Sequence, residues 1–277
     1  MYRHPKAGRP TCQVASGEYI ANRRCLATMY PNTEILRRDV SRRLRRGENM
    51  VLYGPHGIGK TTLLLDLEAR LRKAGIPCGR SAHTGGLDDV TRALEAAYPT
   101  VDTALLTRRG ARSQLWQAAD IKSGVLLLDH LTDVTNAMVS YLRRLRGGLV
   151  GVLTAVDVEI EKERWRMKPW RMGALSVRMP LASADLLREL LHRSSTQLGL
   201  PQLEPDIERR LVRAAEGRPG WILECTRLQT QRQYWQGSQL FVSILCTDTE
   251  IALRQGSLDM LPPMRDREAR VASLNGD

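Results

Sequence analysis

Residues 51 to 66 read VLYGPHGIGKTTLLLD, and this stretch constrains the fold more than any other part of the sequence. From Gly54 to Thr61 it matches the pattern G-x-x-x-x-G-K-[ST] in full. An apolar strand pattern precedes the match and a helical pattern follows it, which is the expected context. At average residue frequencies, a chance match arises in roughly one chain of this length in a hundred. The sequence therefore predicts a phosphate-binding loop between a strand and a helix.

The residue types in this loop suit a nucleoside triphosphate. Glycines let the backbone wrap closely around phosphates with its N–H groups pointing inward. Lys60 can reach the β- and γ-phosphates, and the Thr61 hydroxyl can ligate Mg²⁺. The candidate binding residues are Gly54, Pro55, His56, Gly57, Ile58, Gly59, Lys60, Thr61 and Thr62.

A second half of the site is predicted at the end of another buried strand. The run GVLLLD closes on Asp129, which is the candidate partner of Thr61 as a metal ligand. A strand-end aspartate that only caps a turn is the alternative interpretation. His130 follows, and a neutral imidazole lacks the negative charge with which a carboxylate orients an attacking water, although imidazoles in general titrate close enough to neutrality to act as a base. Asp129 and His130 are the candidate catalytic residues, and the sequence leaves hydrolysis open.

Strand and helix patterns alternate up to residue 180, after which only helical periods recur. This order predicts an α/β fold in which helices sandwich a parallel P-loop NTPase sheet, followed by an all-helical lid domain. The predicted divisions are a basic, partly disordered arm (1–31), the P-loop α/β domain (32–181), the helical lid (182–256) and a tail (257–277).

The sequence gives no sign of membrane or secretory targeting. Apolar runs such as VLLL at 125–128 are far shorter than the roughly 20 residues of a membrane span. The five cysteines form no CxxC pair, which favours free thiols over disulfides or a zinc site. The sequence therefore predicts a cytoplasmic protein.

The net charge of +12 and the pI of about 10.0 predict a surface that attracts polyanions. Residues 1–46 hold eleven lysines or arginines against three acids, a net +8. Two interpretations are open: a solvated, solubilising surface, or a contact with nucleic acid. The lack of an acidic segment to offset this charge favours DNA. The same two interpretations, a solvated surface or a nucleic-acid contact, apply to a later helix that holds Arg143, Arg144 and Arg146.

Together these residues resemble the AAA+ and STAND branch of P-loop ATPases. The chain is most similar to compact bacterial ATPases related to origin-recognition proteins and transposition helpers. The resemblance spans Glu34 to Arg254, and GPHGIGKTT and LLLDH are its strongest elements. GVLTA and the lid turn EGRPGWI are weaker elements.

The resemblance implies ATP as the nucleotide and adds three kinds of site residue. Thr154 stands where such ATPases sense the γ-phosphate, although an ordinary strand threonine is an equal alternative. Arg218, in the lid turn, is the candidate second sensor, with a plain helix-to-helix turn as the alternative. An arginine finger from a neighbouring subunit is expected from the segment that holds Arg164, Arg166 and Arg171. Most hydrolysing relatives carry glutamate where this chain has His130, which implies slow turnover.

Two classes of function follow from the resemblance and the charge. The first is an ATP-dependent, DNA-associated regulator or assembly factor that oligomerises and recruits a partner such as a transposase or a helicase. The second is a STAND-type switch that controls protein assembly without nucleic acid. The short segment after the lid offers no sensor or effector domain, which favours the first. A small-molecule kinase is a third, less favoured class.

Overall fold

The structure of the protein, a computed structural model, describes residues 31–131, 135–147, 150–157, 174–237 and 239–258. The basic arm before residue 31, the arginine-finger candidates Arg164, Arg166 and Arg171, and most of the tail fall outside these ranges. Over the described ranges, no helix combines the length and the apolar character needed to cross a membrane.

Five parallel strands form the central sheet, in the order β2–β3–β4–β1–β5. They are β1 (Asn49–Gly54), β2 (Cys78–Ser81), β3 (Val125–Leu128), β4 (Gly151–Asp157) and β5 (Leu175–Arg178). β4 pairs with both β1 and β3, and all three strands are parallel. The loop after β1 and the residues after β3 therefore emerge at the same edge of the sheet. This edge carries both halves of the predicted site.

Helices cover both faces of the sheet, as near-continuous apolar strands require. The helices are α1 (Pro31–Arg45), α2 (Lys60–Lys73), α3 (Leu87–Ala97), α4 (Arg108–Ile121) and α5 (Asn136–Gly147). Successive side chains of a strand point to opposite faces of the sheet, so each strand contributes to two cores. Val51 and Leu126 pack with α3, α4 and α5. Leu52 and Leu127 pack with α1 and α2.

The residues after β5 build a third core of their own. The elements are α6 (Ala184–Gln197), α7 (Pro205–Ala214), α8 (Pro219–Gln229), a 3₁₀ turn (Arg232–Tyr234), β6 (Trp235–Gln236), β7 (Gln239–Leu240) and α9 (Val242–Leu258). Trp221 is fully buried at the centre, among leucines of α6, α7 and α9. The predicted fold class is confirmed: a helix-covered parallel sheet followed by a mainly helical segment. The residue limits assigned to the domains stay predictions.

Two local features differ from the sequence predictions. The helical period of GWILECTRLQTQRQYW (220–235) predicts a helix through Trp235, but β6 and β7 form a two-stranded antiparallel pair there. Its turn holds Gly237 at a φ of 62°, which ends helical periodicity. Strands of two residues are too short to leave a period in the sequence. In the sheet, the apolar run LVGVLTA (149–155) predicts a strand that ends at Ala155, and β4 continues two residues further, to Asp157.

Candidate nucleotide-binding site

The phosphate loop lies between β1 and α2, as the motif predicts. Gly54, Gly57 and Gly59 all have positive φ, at 159°, 77° and 101°. Side chains rarely adopt the values at Gly57 and Gly59, so glycine is needed for the loop to turn back over α2. Gly59 stands at the N-cap of α2 and makes no side-chain cap. The helix N-terminus, with its N–H groups and positive dipole end, is therefore available to an anion.

Lys60 lies inside the loop rather than in solvent. Its side chain is buried, and Nζ donates to the carbonyl oxygens of Gly54 at 2.5 Å and Pro55 at 3.0 Å. Both acceptors are neutral. Because a phosphate oxygen is a stronger, charged acceptor, Lys60 is placed to exchange these carbonyls for a phosphate.

Asp129 follows β3 and is 1% exposed. Its Oδ1 accepts a hydrogen bond from the backbone N–H of His130 at 3.0 Å. Its Oδ2 is buried and has no hydrogen-bond partner in the described part of the chain. A buried carboxylate oxygen without a donor is unfavourable, and a cation or a metal-bound water resolves it.

His130 links the two halves of the site. Its Nε2 lies 3.5 Å from the Thr61 hydroxyl of the phosphate loop. Its φ of 44° lies in the left-handed region, which a residue with a side chain adopts at some cost. The predicted pair of metal ligands, Thr61 and Asp129, is therefore brought together with His130 between them.

Thr154 lies within β4, level with Leu128 on one side and Val51 on the other. It is 2% exposed, and its hydroxyl donates to the carbonyl of Met50 at 3.3 Å. This bond satisfies the hydroxyl within the sheet, which agrees with an ordinary strand threonine. A role in sensing the γ-phosphate stays a prediction.

Arg218 is buried in the lid, where it forms an ion pair with Glu250 of α9. Its Nη1 lies 3.1 Å from Oε2 of Glu250, Nη2 contacts Oε1, and Nε donates to the carbonyl of Ala215. The same contact lowers the pKa of Glu250, because hydrogen bonds from the guanidinium stabilise the carboxylate. Arg218 therefore joins α8 to α9, and its predicted role as a second sensor stays a prediction.

The lid contacts the phosphate loop through backbone atoms. The N–H of Gly220, in the first turn of α8, donates to the carbonyl of Gly57 at 2.8 Å. A Cβ at Gly220 would lie 2.8 Å from that oxygen, and one at Gly57 would lie 3.2 Å from the Trp221 nitrogen. Both positions therefore need glycine. The contact ties the start of the lid to the loop that holds phosphates.

His83 is the site residue that the sequence analysis missed. It follows β2, and its ring stacks on that of His130, with centroids 5.1 Å apart and planes 15° apart. Burial, and then the electrostatic effect of His130, lower the pKa of His83 below its ordinary value. The sequence did hold a signal: in a parallel sheet, the residues after β2 and β3 emerge together. No motif marks the position, however.

The residues present fit a nucleotide with Mg²⁺. Gly59 leaves open space at the N-terminus of α2, Lys60 supplies a cation, and Asp129 offers an oxygen that has no hydrogen-bond partner among the described residues. Across the described ranges, no cluster of three histidine, cysteine or acidic side chains could hold a metal by protein ligands alone. This suits Mg²⁺, which takes one or two protein ligands and completes its shell with phosphates and water.

The sequence matches no protein-family model and no curated protein. Among solved structures, Cdc6p from Pyrobaculum aerophilum aligns at 15% identity with a TM-score of 0.51, over 73% of this chain and 62% of that one. Domain III of the replication initiation protein DnaA from Thermotoga maritima aligns at 13% identity with a TM-score of 0.48, over 85% and 93%. AMPPCP-bound DnaA from Aquifex aeolicus aligns at 18% identity with a TM-score of 0.47, over 73% and 63%.

Identities this low show the fold alone, and the likeness to Cdc6p agrees with the strand order of the sheet. The chain spans less than two thirds of the Cdc6p chain. The sheet with its phosphate loop after β1, its acid after β3 and its following helical segment form one architecture. The chain has the fold of the AAA+ P-loop ATPases.

Proposed function

We propose that the protein binds ATP with Mg²⁺ and acts as a nucleotide-dependent, DNA-associated regulator or assembly factor. One observation carries the nucleotide part. The buried, unpartnered oxygen of Asp129 and the hydroxyl of Thr61 meet around His130 at one edge of the sheet. Lys60 and the loop N–H groups would hold the phosphates, and Thr61 and Asp129 would hold the metal.

The lid contact offers a route from nucleotide to assembly. The hydrogen bond between Gly220 and Gly57 joins the lid to the phosphate loop. When phosphates enter the loop, any movement of Gly57 is passed to α8 through this bond. A change in the lid is a change in the surface offered to other subunits. This supports a nucleotide-dependent oligomer, and a partner such as a transposase or a helicase belongs to the same proposal.

Hydrolysis is proposed to be slow. His130 occupies the position where a carboxylate would orient the attacking water, and a neutral imidazole has a single acceptor nitrogen and no negative charge with which to hold that water. Its Nε2 already lies near the Thr61 hydroxyl, which further limits its freedom to bind water. A protein that holds ATP for long periods suits a switch better than a motor.

The DNA part of the proposal is supported by a basic surface on α4 and α5. These two helices carry six arginines against one acid, Asp120. Those whose side chains the structure describes define the α4–α5 surface: Arg108, Arg109, Arg112, Arg143 and Arg144. The guanidinium of Arg144 lies 6.0 Å from the ring centroid of Trp116, and the hydroxyl of Tyr141 donates to the carbonyl of Arg112. Arginines interleaved with aromatic rings are typical of surfaces that bind nucleic acid.

Fluorescence anisotropy with labelled duplex DNA tests the proposal. The protein is titrated without nucleotide, with ATP and with ADP, each at two salt concentrations, beside a Lys60→Ala variant. We expect DNA binding that needs ATP, weakens with salt and is lost in Lys60→Ala, because the variant lacks the cation that contacts the phosphates.

A fluorescent ATP analogue separates the two parts of the proposal. ATP binding without any DNA binding would favour the STAND-type switch that controls protein assembly alone. DNA binding that ignores nucleotide would reduce the basic surfaces to non-specific contacts. Absence of ATP binding would overturn the proposal itself.

A further inference from the structure

We propose that His83 is a positioning residue, which holds the imidazole of His130 beside the Thr61 hydroxyl at the metal end of the nucleotide site. The placement is a property of the protein without nucleotide and can be measured there. Its consequence for Mg²⁺ and ATP rests on the proposed function.

The backbone around His83 is held on both sides. The Ser81 hydroxyl donates to the carbonyl of His83 at 2.5 Å, and Thr84 forms a parallel bridge with Leu131. The N–H of Asp129 donates to the carbonyl of Ser81 at 3.0 Å. These contacts clamp the residues after β2 to the residues after β3. The backbone of His83 therefore has a fixed position beside that of His130.

His83 contacts His130 with the face of its ring and not with its nitrogens. Both of its nitrogens are buried and have no hydrogen-bond partner within the described ranges. A buried polar group without a partner calls for an explanation. Its stacking partner is the ring of His130, 5.1 Å away and close to parallel. Burial is the main cause that lowers the pKa of His83 and so favours its neutral form, which suits stacking of the ring face.

The charged groups around His83 act in both directions. Asp129 and Asp89 act to raise the pKa of His83, His130 and Arg80 act to lower it, and burial, which also lowers it, is the largest single influence. Two near-parallel rings also direct their nitrogen lone pairs along separate planes, so they cannot share one metal ion. A transition-metal site between the two rings is excluded on geometry.

His130 needs such a support. Its backbone is held in the left-handed region, and its N–H is bound to Asp129. These constraints fix the backbone of His130, but its side chain can still rotate. The stack on His83 removes that rotation and keeps Nε2 at 3.5 Å from Thr61. With Nε2 as the acceptor, the Thr61 hydroxyl donates its proton to the ring and keeps its lone pairs for a cation. Loss of a group that orients a metal ligand typically lowers metal affinity by about 10- to 100-fold.

The placement is tested first without nucleotide, by NMR of histidine-labelled protein. The chain has five histidines, and His130 and His83 are assigned by substitution. We expect a nuclear Overhauser contact between the two rings and a ring-current shift of the His130 signals. His83→Ala should remove the shift, and His83→Phe should preserve it. His192, which pairs with Glu208 in the lid, is the internal control and should not change.

The consequence is tested by the Mg²⁺ concentration that half-saturates ATP binding. We expect His83→Ala to raise this Mg²⁺ concentration roughly ten-fold, the lower end of the range typical of groups that orient a metal ligand. ADP binding without Mg²⁺ should stay unchanged, and His83→Phe should restore the wild-type value. His192→Ala serves as the matched control, because its side chain lies in the lid and is outside the site.

Each result bears on a different claim. If the rings give no contact in the wild-type protein, or if His83→Ala leaves the His130 signals unchanged, the positioning role is wrong. If His83→Phe keeps the stack but behaves like His83→Ala toward Mg²⁺, His83 acts through its nitrogens and positioning is overturned. Failure of the wild-type protein to bind ATP would overturn the proposed function, while the NMR result would still decide the placement.

Discussion

Helix α1 and the α4–α5 surface each carry five arginines, but the two sets meet different neighbours. In α1, carboxylates lie within reach: Arg42 and Arg43 pair with Asp39, and Arg43 also reaches Glu48. On the α4–α5 surface, Arg144 lies over an indole ring, and Arg112 donates to a backbone carbonyl. Arg108 has a carboxylate partner, Asp88, in a largely exposed pair.

The pairs of α1 also reach across to α2. Arg37, with 6% of its side chain exposed, lies 3.2 Å from Asp66. Arg70 of α2 in turn donates to both oxygens of Glu34. Charge that the sequence assigns to a DNA-binding surface is therefore partly used to attach α1 to the domain. A count of arginines alone cannot separate a structural set from a binding set, since the distinction lies in which acids fold against them.

The largest expected effect separates the two sets by DNA affinity. Replacing Arg109, Arg143 and Arg144 with alanine removes three exposed cations. We expect the affinity to fall on the order of 100-fold at about 0.15 M salt, and the slope of log K against log salt to shrink by about 3. Anisotropy titrations over a salt series measure both quantities.

A matched control removes three exposed arginines of α1, namely Arg38, Arg42 and Arg45. Each has high exposure, and two of them pair with α1 carboxylates, so their loss should change DNA affinity far less. Equal losses of DNA affinity in the two triple variants would mean that the two surfaces do not differ in DNA binding. Circular dichroism confirms that both variants remain folded.

The second prediction concerns the contribution of α1 to stability. Asp66→Ala removes the α2 partner of the buried guanidinium of Arg37 and leaves Glu34, 3.4 Å away, as a carboxylate partner. Breaking part of a buried ion pair is costly, because the buried charge then keeps less compensation. We expect a loss of about 2 kcal/mol in the free energy of unfolding, measured by urea denaturation, with DNA affinity unchanged.

Asp39→Ala is the control for that measurement. It also removes a carboxylate partner of arginine, but one that lies on the exposed side of α1. Exposed pairs contribute about 0–1 kcal/mol, so its effect should be small. Similar losses in the two variants would mean that burial does not distinguish the pairs.

The fold and the core of the site were predictable because their signals are local. The phosphate loop needs glycines and a lysine at fixed spacing, and Asp129 closes an apolar run of strand length. Parallel strands then place the ends of β1 and β3 at one edge. A sequence pattern and a topological rule together were enough to pair Thr61 with Asp129.

The rest of the site depends on side-chain partners that no local pattern encodes. His83 stacks on a residue 47 positions away in the sequence. Arg218 matches a lid motif, yet its guanidinium faces Glu250 of α9. Thr154 was placed near a strand end, but the strand runs on to Asp157 and its hydroxyl bonds to the sheet. Such contacts are decided by packing between distant segments.

The smallest expected effect is a pH dependence carried by Glu34. Hydrogen bonds from Arg70, followed by those from Arg38, lower its pKa from the ordinary 4.5 to about 2. A depressed carboxyl pKa adds stability above 4.5 that is lost as the pH falls toward 2. The gap in unfolding free energy between wild type and Glu34→Gln should therefore be present at pH 7 and shrink between pH 4.5 and pH 2. This difference in unfolding free energy should be small, because salt screens exposed ion pairs.

An Arg70→Ala background tests whether that pH dependence belongs to the contact between α1 and α2. Without the guanidinium, the pKa of Glu34 should return toward its ordinary value, so Glu34→Gln should have less effect at every pH. A pH-dependent gap that survives in this background would assign the effect to Arg37 and Arg38 within α1. The arginines of α1 would then stabilise the helix itself, and its attachment to α2 would depend on the buried pair of Arg37 and Asp66.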